Sequence, residues 1–539
     1  VTMLTAVFVI VLLAVVGSAI DLGRAHATRT RLQHACDAAS LAGRRAMTTS
    51  TVDDTVKAEA LKFFNFNFPQ RAFGTSTFTP SVSSLSGSTQ TVVITAATTS
   101  PTTVMKFFGF SSIPLNVTCN AKQDFVNTDV VLVLDTTGSM ADKASSTDTS
   151  TKIVALRKAV LALYDQLATV QTNLEASGMR LRYGIVPYAS TVNVGSAISA
   201  VNASYLAQTA KYQSRRVATA TSSSSACDGV YGSYNSNSRV CTYFIYNQYS
   251  YDTSKFVAGS SVDVAPFIGT STYYSSGRSQ LYGLTPTNQV ANKTTWGGCT
   301  EEPVTVVMSA TATSIPDGAN DLNIDLIPAT DDQKWRPYWP EVEFTSYRSN
   351  IYSADLMKPQ YACPTAAAPM KAWSRTTLST YLDGLNPDGG TYHDFGMMWG
   401  ARWASSNGIF SANNPSTYNS MPVKKYIIFM TDGLFDTGYS TLYSGYGVEQ
   451  LDARVTPGGS SSNETDQLAR HKQRFNLLCS KAKTMGYSVW VIGFATTLDA
   501  SLTNCASSAS QASTSADSAA LLSKFVEIGK NIGALRLTQ

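Results

Sequence analysis

The segment VVLVLDTTGSM, Val130 to Met140, runs from apolar β-branched residues straight into an acid, hydroxyls and a glycine. Asp135, Thr137 and Ser139 stand at alternate positions, so one loop can aim all three side chains at a single point. A second apolar run, YIIFM, ends in TDG, where Asp432 is the acid and Gly433 is expected to allow a tight turn. A third segment, DGGTYHDFG, offers Thr391 ahead of an apparent helix. Two carboxylates and several hydroxyls are hard oxygen ligands, which suit Mg2+, or else Ca2+ or Mn2+, and not a soft metal. Mg2+ takes about six oxygens at roughly 2.0–2.1 Å and usually keeps some waters. A phosphate-cradling role does not fit, because the loop lacks the G-x-x-x-x-G-K-[ST] pattern.

These loops need rigid elements behind them. DVVLVLD reads as a short strand buried on both faces, as in a parallel sheet. A helix follows near Lys152 to Thr169, then the strand RLRYGIVPY. KKYIIFMTDG, the helix ETDQLARHKQRFNLLCSKAKTMG, the strand YSVWVIGFA and a helix ending near FVEIGKNIGALRLTQ come later. Strands alternating with helices predict an α/β fold with a doubly wound sheet, in which ligands sit beyond the carboxyl ends of the strands. Ala203 to Tyr381 has weak periodicity, is rich in Tyr, Ser, Asn and Thr, and reads as a long insertion.

Upstream, Val1 to Ile20 carries no charge. About 20 apolar residues at roughly 1.5 Å each match a hydrocarbon core of about 30 Å, so Val1, Leu12 and Ile20 mark a membrane or filament helix. The run continues without an evident cleavage site into an Ala-rich helix, expected to extend as a stalk to about Phe68. The start at Val1 gives the expectation that a leader has been removed. Arg24, Arg29, Arg31, Arg44 and Arg45 follow the span, which by the positive-inside rule opposes export; the cysteines favour it. Thr75 to Lys122 alternates as a small β-rich module. The expected organisation is therefore 1–68 helix and stalk, 69–126 β module, and 127–539 α/β domain interrupted at about 203–381.

Composition narrows the function. The 539 residues carry a net charge of +4 with 14% charged residues, so nothing suggests a nucleic-acid stripe. Eight cysteines form no CxxC pair, and the four histidines, His26, His34, His393 and His471, lie far apart. Disulfides in an oxidising compartment are the better reading than zinc. Cys479 on a long helix and Cys505 after the next strand are placed to pair. Cys227 with Cys241 would close a short loop, Cys299 with Cys363 would staple the insertion, and Cys36 with Cys119 would clamp the stalk to the β module. G-x-S-x-G and H-E-x-x-H are absent, which argues against an enzyme.

Two resemblances refine this picture. Asp135-x-Thr137-x-Ser139, Thr391 and the TDG of Asp432 resemble the metal-ion-dependent adhesion site of von Willebrand factor A domains, with Thr137 where that family usually has Ser. The resemblance implies a divalent cation with one open position for a partner protein's carboxylate. DLGRAHATRTRLQHACDAASLAG, Asp21 to Gly43, resembles TadE/TadG-like pilus assembly proteins, and TWGGCTEEP, GGT…WG and the Cys479/Cys505 region resemble TadG-related chains. Thr5 departs from the Glu usual in type IV pilins, which disfavours an ordinary filament subunit. Together these imply a pilus-associated adhesin, as minor pilin or tip component, bound to other pilus subunits through its N-terminal helix. It would sit in the membrane before assembly, anchored to the inner membrane of a bacterial envelope, and outside the cell afterwards. The alternative is a membrane-anchored envelope scaffold for Tad/Flp-type pilus assembly, also non-enzymatic.

Overall fold

The computed structural model describes residues 2–47, 52–85, 88–122, 127–221, 232–263, 293–338, 363–440, 442–459 and 462–533. The chain divides into two units: Val1–Val126 with Thr169–Met179 and Ile532–Gln539, and Asn127–Ala168 with Arg180–Asn531. The fold is mixed α/β, with an N-terminal helix, several sheets and disulfides.

In the first unit, helix α1 spans Thr2–Ala46. Its residues Ala25, Leu32, Cys36 and Ala39 recur at helical spacing and are buried against Val92, Ile94, Leu115 and Val117. Those four come from β2 (Ser88–Pro101) and β3 (Ser112–Lys122), which form an antiparallel sheet in the order β1-β2-β3 with β1 (Ser81–Leu85). The helix does not continue to Phe68 as a stalk. Asp53 accepts the Val56 backbone N–H at 2.9 Å and caps a new helix, α2 (Asp54–Asn67), whose Val56, Ala60 and Phe64 join the same core. The expected division at residue 68 therefore does not separate packing units, because one apolar face of α1 and one of α2 both need the sheet to cover them.

Among the described residues no helix is long and apolar enough to cross a membrane, so the span expected over Val1–Ile20 is unsupported. Phe8, Val9, Leu12, Val15, Val16 and Ile20 nevertheless lie exposed along the N-terminal part of α1.

The second unit is built on a sheet whose strands run, in order, β11 (Arg336–Pro337), β10 (Cys299–Glu301), β6 (Val192–Asn193), β5 (Leu181–Tyr188), β4 (Asn127–Asp135), β13 (Met421–Thr431), β14 (Ser488–Phe494) and β15 (Ala512–Ser515). Five successive strands, β5, β4, β13, β14 and β15, pair in parallel. All nine residues of β4 are buried, which explains its unbroken apolar reading. Val131, Val133 and Val186 pack with helix α4 (His393–Ala404) and with α5 (Glu464–Thr484). On the opposite face Tyr183 meets Tyr164 of α3 (Lys152–Ala176) at 5.9 Å between ring centroids. Helix α4 has all twelve residues buried. It approaches β4 so closely that a Cβ on Gly400 would lie 2.4 Å from Val133 Cγ2.

The stretch 203–381 is not wholly an insertion. Cys299–Glu301 (β10) and Arg336–Pro337 (β11) extend the main sheet antiparallel beyond β6 (Val192–Asn193), and Ala368–Lys371 (β12) pairs with β5. Met308, Leu322, Ile324 and Trp335 belong to the central core. What does stand apart is a separate antiparallel sheet of β7 (Thr209–Thr221), β9 (Val240–Asp252) and β8 (Gly232–Asn235). Disulfides join Cys36 to Cys119, Cys299 to Cys363 and Cys479 to Cys505, with Cα–Cα distances of 5.9, 5.6 and 5.0 Å. The expected Cys227–Cys241 pair falls outside the described residues, because Cys227 lies there.

Candidate functional site

The order of the parallel strands reverses between β4 and β13, since β5 follows β4 on one side and β14 follows β13 on the other. Loops leaving such neighbours diverge and open a crevice beyond their carboxyl ends. Asp135 ends β4 and Asp432 follows β13, so the register alone brings both acids to this crevice. A one-turn 3-10 segment, Gly138–Ala141, then turns the first loop back and carries Ser139 to the surface.

Hydrogen bonds tie four of the five expected residues together. Thr137 N–H donates to Asp135 Oδ1 at 2.9 Å, the Thr137 and Ser139 hydroxyls are 3.2 Å apart, and Ser139 Oγ donates to Asp432 Oδ1 at 2.8 Å. Thr391 joins through its loop. Gly138 N–H donates to Gly389 O at 3.0 Å, and Asp388 N–H donates to Thr136 O at 2.8 Å. Gly389 has φ +87°, and a Cβ there would press on Ser190 Oγ at 3.1 Å. The chain bends at Asp432 and Gly433, where Thr431 Oγ1 bonds the Gly433 N–H and carbonyl, but the bend makes no demand for glycine. Gly433 is not left-handed and a Cβ there would meet open space, so the glycine requirement sits in the Thr391 loop instead.

Residues that the motif did not reveal complete the site. Lys152, at the start of α3, donates to Asp432 Oδ2 at 2.9 Å. The Tyr188 hydroxyl, opposite Asp135 in the β4–β5 register, donates to Asp135 Oδ2 at 3.3 Å, and Thr431 Oγ1 donates to the same oxygen at 2.8 Å. His393 Nε2 lies 2.9 Å from Thr431 Oγ1. Burial lowers His393 to about 3, so the ring is neutral at physiological pH. Thr431 had a sequence signal, as the neighbour of Asp432. Lys152, Tyr188 and His393 had none beyond their place at element ends.

Asp135 is fully buried, and burial first, then the facing charge of Asp432, pushes its carboxyl up to about 7. A divalent cation set between two buried carboxylates would relieve that repulsion on Asp135. The donors are all hard oxygens, and the exposed Ser139 leaves an approach from solvent. Among the described residues no three His, Cys, Asp or Glu side chains gather to hold a metal, so any ion here depends on hydroxyl ligands as well as on these two acids. Both Asp432 oxygens are already engaged, and an entering cation must displace the Lys152 ammonium or share Oδ2 with it.

A buried polar network lies deeper in the same unit. Glu302 accepts from Trp399 Nε1 at 2.6 Å and from Arg402 Nη1 at 2.9 Å, and Asp321 accepts from the Tyr446 hydroxyl at 2.7 Å and pairs with Arg474. His471 Nδ1 lies 2.7 Å from Asp394 Oδ2. These groups bind the 299–338 stretch to α4 and α5.

Residues 1–47 match the family described as Flp pilus-assembly TadE/G-like. No curated protein matches the chain. Among solved structures, the PilB minor pilin from Streptococcus sanguinis is similar at 11% identity and a TM-score of 0.31, covering 86% of this chain and 79% of that one. The pilus adhesin SpaC from Lactobacillus rhamnosus GG gives 11% and 0.31, covering 84% of this chain and 34% of that one. The chain thus spans about a third of SpaC. The von Willebrand factor domain of the type V pili tip protein Mfa5 from Porphyromonas gingivalis gives 11% and 0.29, covering 77% and 98%. Likenesses of this size do not fix the fold, which rests on the strand pairing described above.

Proposed function

We propose that this chain is a pilus-associated binding protein, a minor pilin or tip component, whose second unit is a doubly wound von Willebrand factor A-like domain. A divalent cation, Mg2+ or else Ca2+ or Mn2+, would be held by Asp135, Thr137, Ser139 and Asp432, with Thr391 from the adjoining loop. The observation that carries this reading is the buried Asp135 facing Asp432 across hydroxyls at the point where the strand order reverses. When bound, the cation supplies an electrophilic contact for a partner's carboxylate. The chain's own residues orient that contact: Thr431 and Tyr188 hold Asp135 from behind, and Ser139 stands at the solvent side.

The role proposed is binding: Ser139 donates to a carboxylate that Lys152 also holds, so its hydroxyl is already engaged at the cation site. The TadE/G-like match over residues 1–47 and the exposed apolar side of α1 support attachment to other pilus subunits and, before assembly, to lipid of the bacterial envelope.

Titration calorimetry of the EDTA-treated full chain with Mg2+, Mn2+ and Ca2+ tests the site. Binding is expected in the parent and lost in Asp432→Ala, and equal binding in both overturns the assignment. Antibody labelling of sheared pili tests the location, and label confined to the cell envelope favours the scaffold instead.

A further inference from the structure

The tip of the β2–β3 hairpin, Thr102 to Ser111, holds an unusual set of exposed side chains. Phe107, Phe108 and Phe110 are 79, 46 and 62% exposed, and Lys106 beside them is exposed too. Three neighbouring phenylalanines left in water cost free energy that a free surface loop has no reason to bear.

The tip is also rigidly placed. Asp21 of α1 accepts the backbone N–H groups of Thr103, Val104 and Met105, each at 2.8 Å. These bonds, that of Met105 foremost, hold the Asp21 carboxyl below its ordinary range. Arg24 Nη1 donates to Thr103 Oγ1 at 2.8 Å. Val104 sits on Gly17, where a Cβ would fall 2.2 Å from Val104 Cγ1. The tip closes on itself through Phe110 N–H to Met105 O at 3.1 Å, with Gly109 at φ +92°. The acid and arginine of the segment DLGR thus fix one loop at one level of one helix.

That level is the end of the uncharged run. Residues Val1 to Ile20 amount to roughly 30 Å of helix, and the tip is fastened at Gly17 to Arg24, where the run gives way to charge. Aromatic rings with a cation beside them suit the boundary between acyl chains and headgroups. We propose that Met105–Phe110 is a lipid-interface collar. Phe107, Phe108 and Phe110 enter the headgroup–acyl boundary of the membrane that receives the apolar end of α1, while Lys106 and Arg24 face lipid phosphates. The collar sets how deep α1 sits, and Asp21 transmits that setting from loop to helix. This rests on the reading that the apolar end of α1 lies in lipid before assembly.

The test places nitroxide labels on full-length protein in phosphatidylethanolamine–phosphatidylglycerol vesicles, through Phe108→Cys in one sample and Leu12→Cys in another. Collision rates with oxygen, which concentrates in lipid, and with a water-soluble nickel chelate are read before and after vesicles are added. The expected result is a label at 12 deep in the acyl region, and a label at 108 that gains oxygen collisions and loses nickel collisions. A label at 12 in lipid with 108 still in water overturns the collar and leaves the anchor standing. A label at 108 shielded from both reagents shows a protein neighbour on the tip and also overturns it. Both labels in water overturn the anchoring reading and the collar with it.

Discussion

Asp135→Asn separates the electrostatics of the site from its packing. In the parent, the Asp135 carboxyl titrates about 7 in the fold against an ordinary value of 3.8. The folded state therefore holds its proton through a window in which the unfolded chain has released it. Stability from this group is full below about pH 4 and is lost as pH rises to about 7. At about 1.36 kcal/mol per pH unit, the loss in metal-free protein is on the order of 4 kcal/mol. Asn keeps an oxygen for the Thr137 N–H, and the Thr431 and Tyr188 hydroxyls can turn from donor to acceptor, so the fold should survive. The assay is urea unfolding followed by tryptophan fluorescence from pH 5 to 8, in EDTA and in Mg2+. All seven tryptophans lie between Trp296 and Trp490, so the signal reports on the second unit alone. In EDTA the stability of the parent relative to Asp135→Asn should fall steadily with pH. Mg2+ should restore the parent near pH 8, by about 2.7 kcal/mol at a hundred times Kd, and should do nothing for the variant. A flat difference across the window refutes the electrostatic reasoning. Equal Mg2+ stabilisation of both proteins refutes the metal site.

Lys152→Met removes the ammonium that occupies Asp432 Oδ2. It should tighten Mg2+ binding in calorimetry while lowering metal-free stability. Arg402→Ala leaves Glu302 buried without its guanidinium partner and should cost about 3–5 kcal/mol by urea unfolding. Replacing Cys479 and Cys505 by Ser opens a loop of 26 residues and should cost about 3.5 kcal/mol in the chain-entropy model, measured the same way under non-reducing conditions.

The parallel core was legible in the sequence because burial on both faces leaves an unbroken apolar signature. Val130 to Leu134, Tyr426 to Met430 and Val489 to Ile492 each carry it. The two acids were legible for a related reason, since polar residues that follow such a run directly must stand at its end. The pairs Cys299–Cys363 and Cys479–Cys505 could be matched from their places along the chain, whereas Cys36–Cys119 was only the pair left over.

The long core strands, the acids at their ends and the apolar helix follow from local sequence; what covers them follows from packing. Strands of two or three residues, such as Val192–Asn193 and Cys299–Glu301, are too short to show a period, so their place in the main sheet stayed hidden in the sequence. The packing of α1 on the three-stranded sheet depends on matched faces far apart along the chain, as with Cys36 and Cys119 at a separation of 83. Lys152, Tyr188 and His393 reach the site only because α3, β5 and α4 converge there. A side chain's partner across space leaves no mark in its own neighbours along the chain, whereas burial of a strand marks every residue in it.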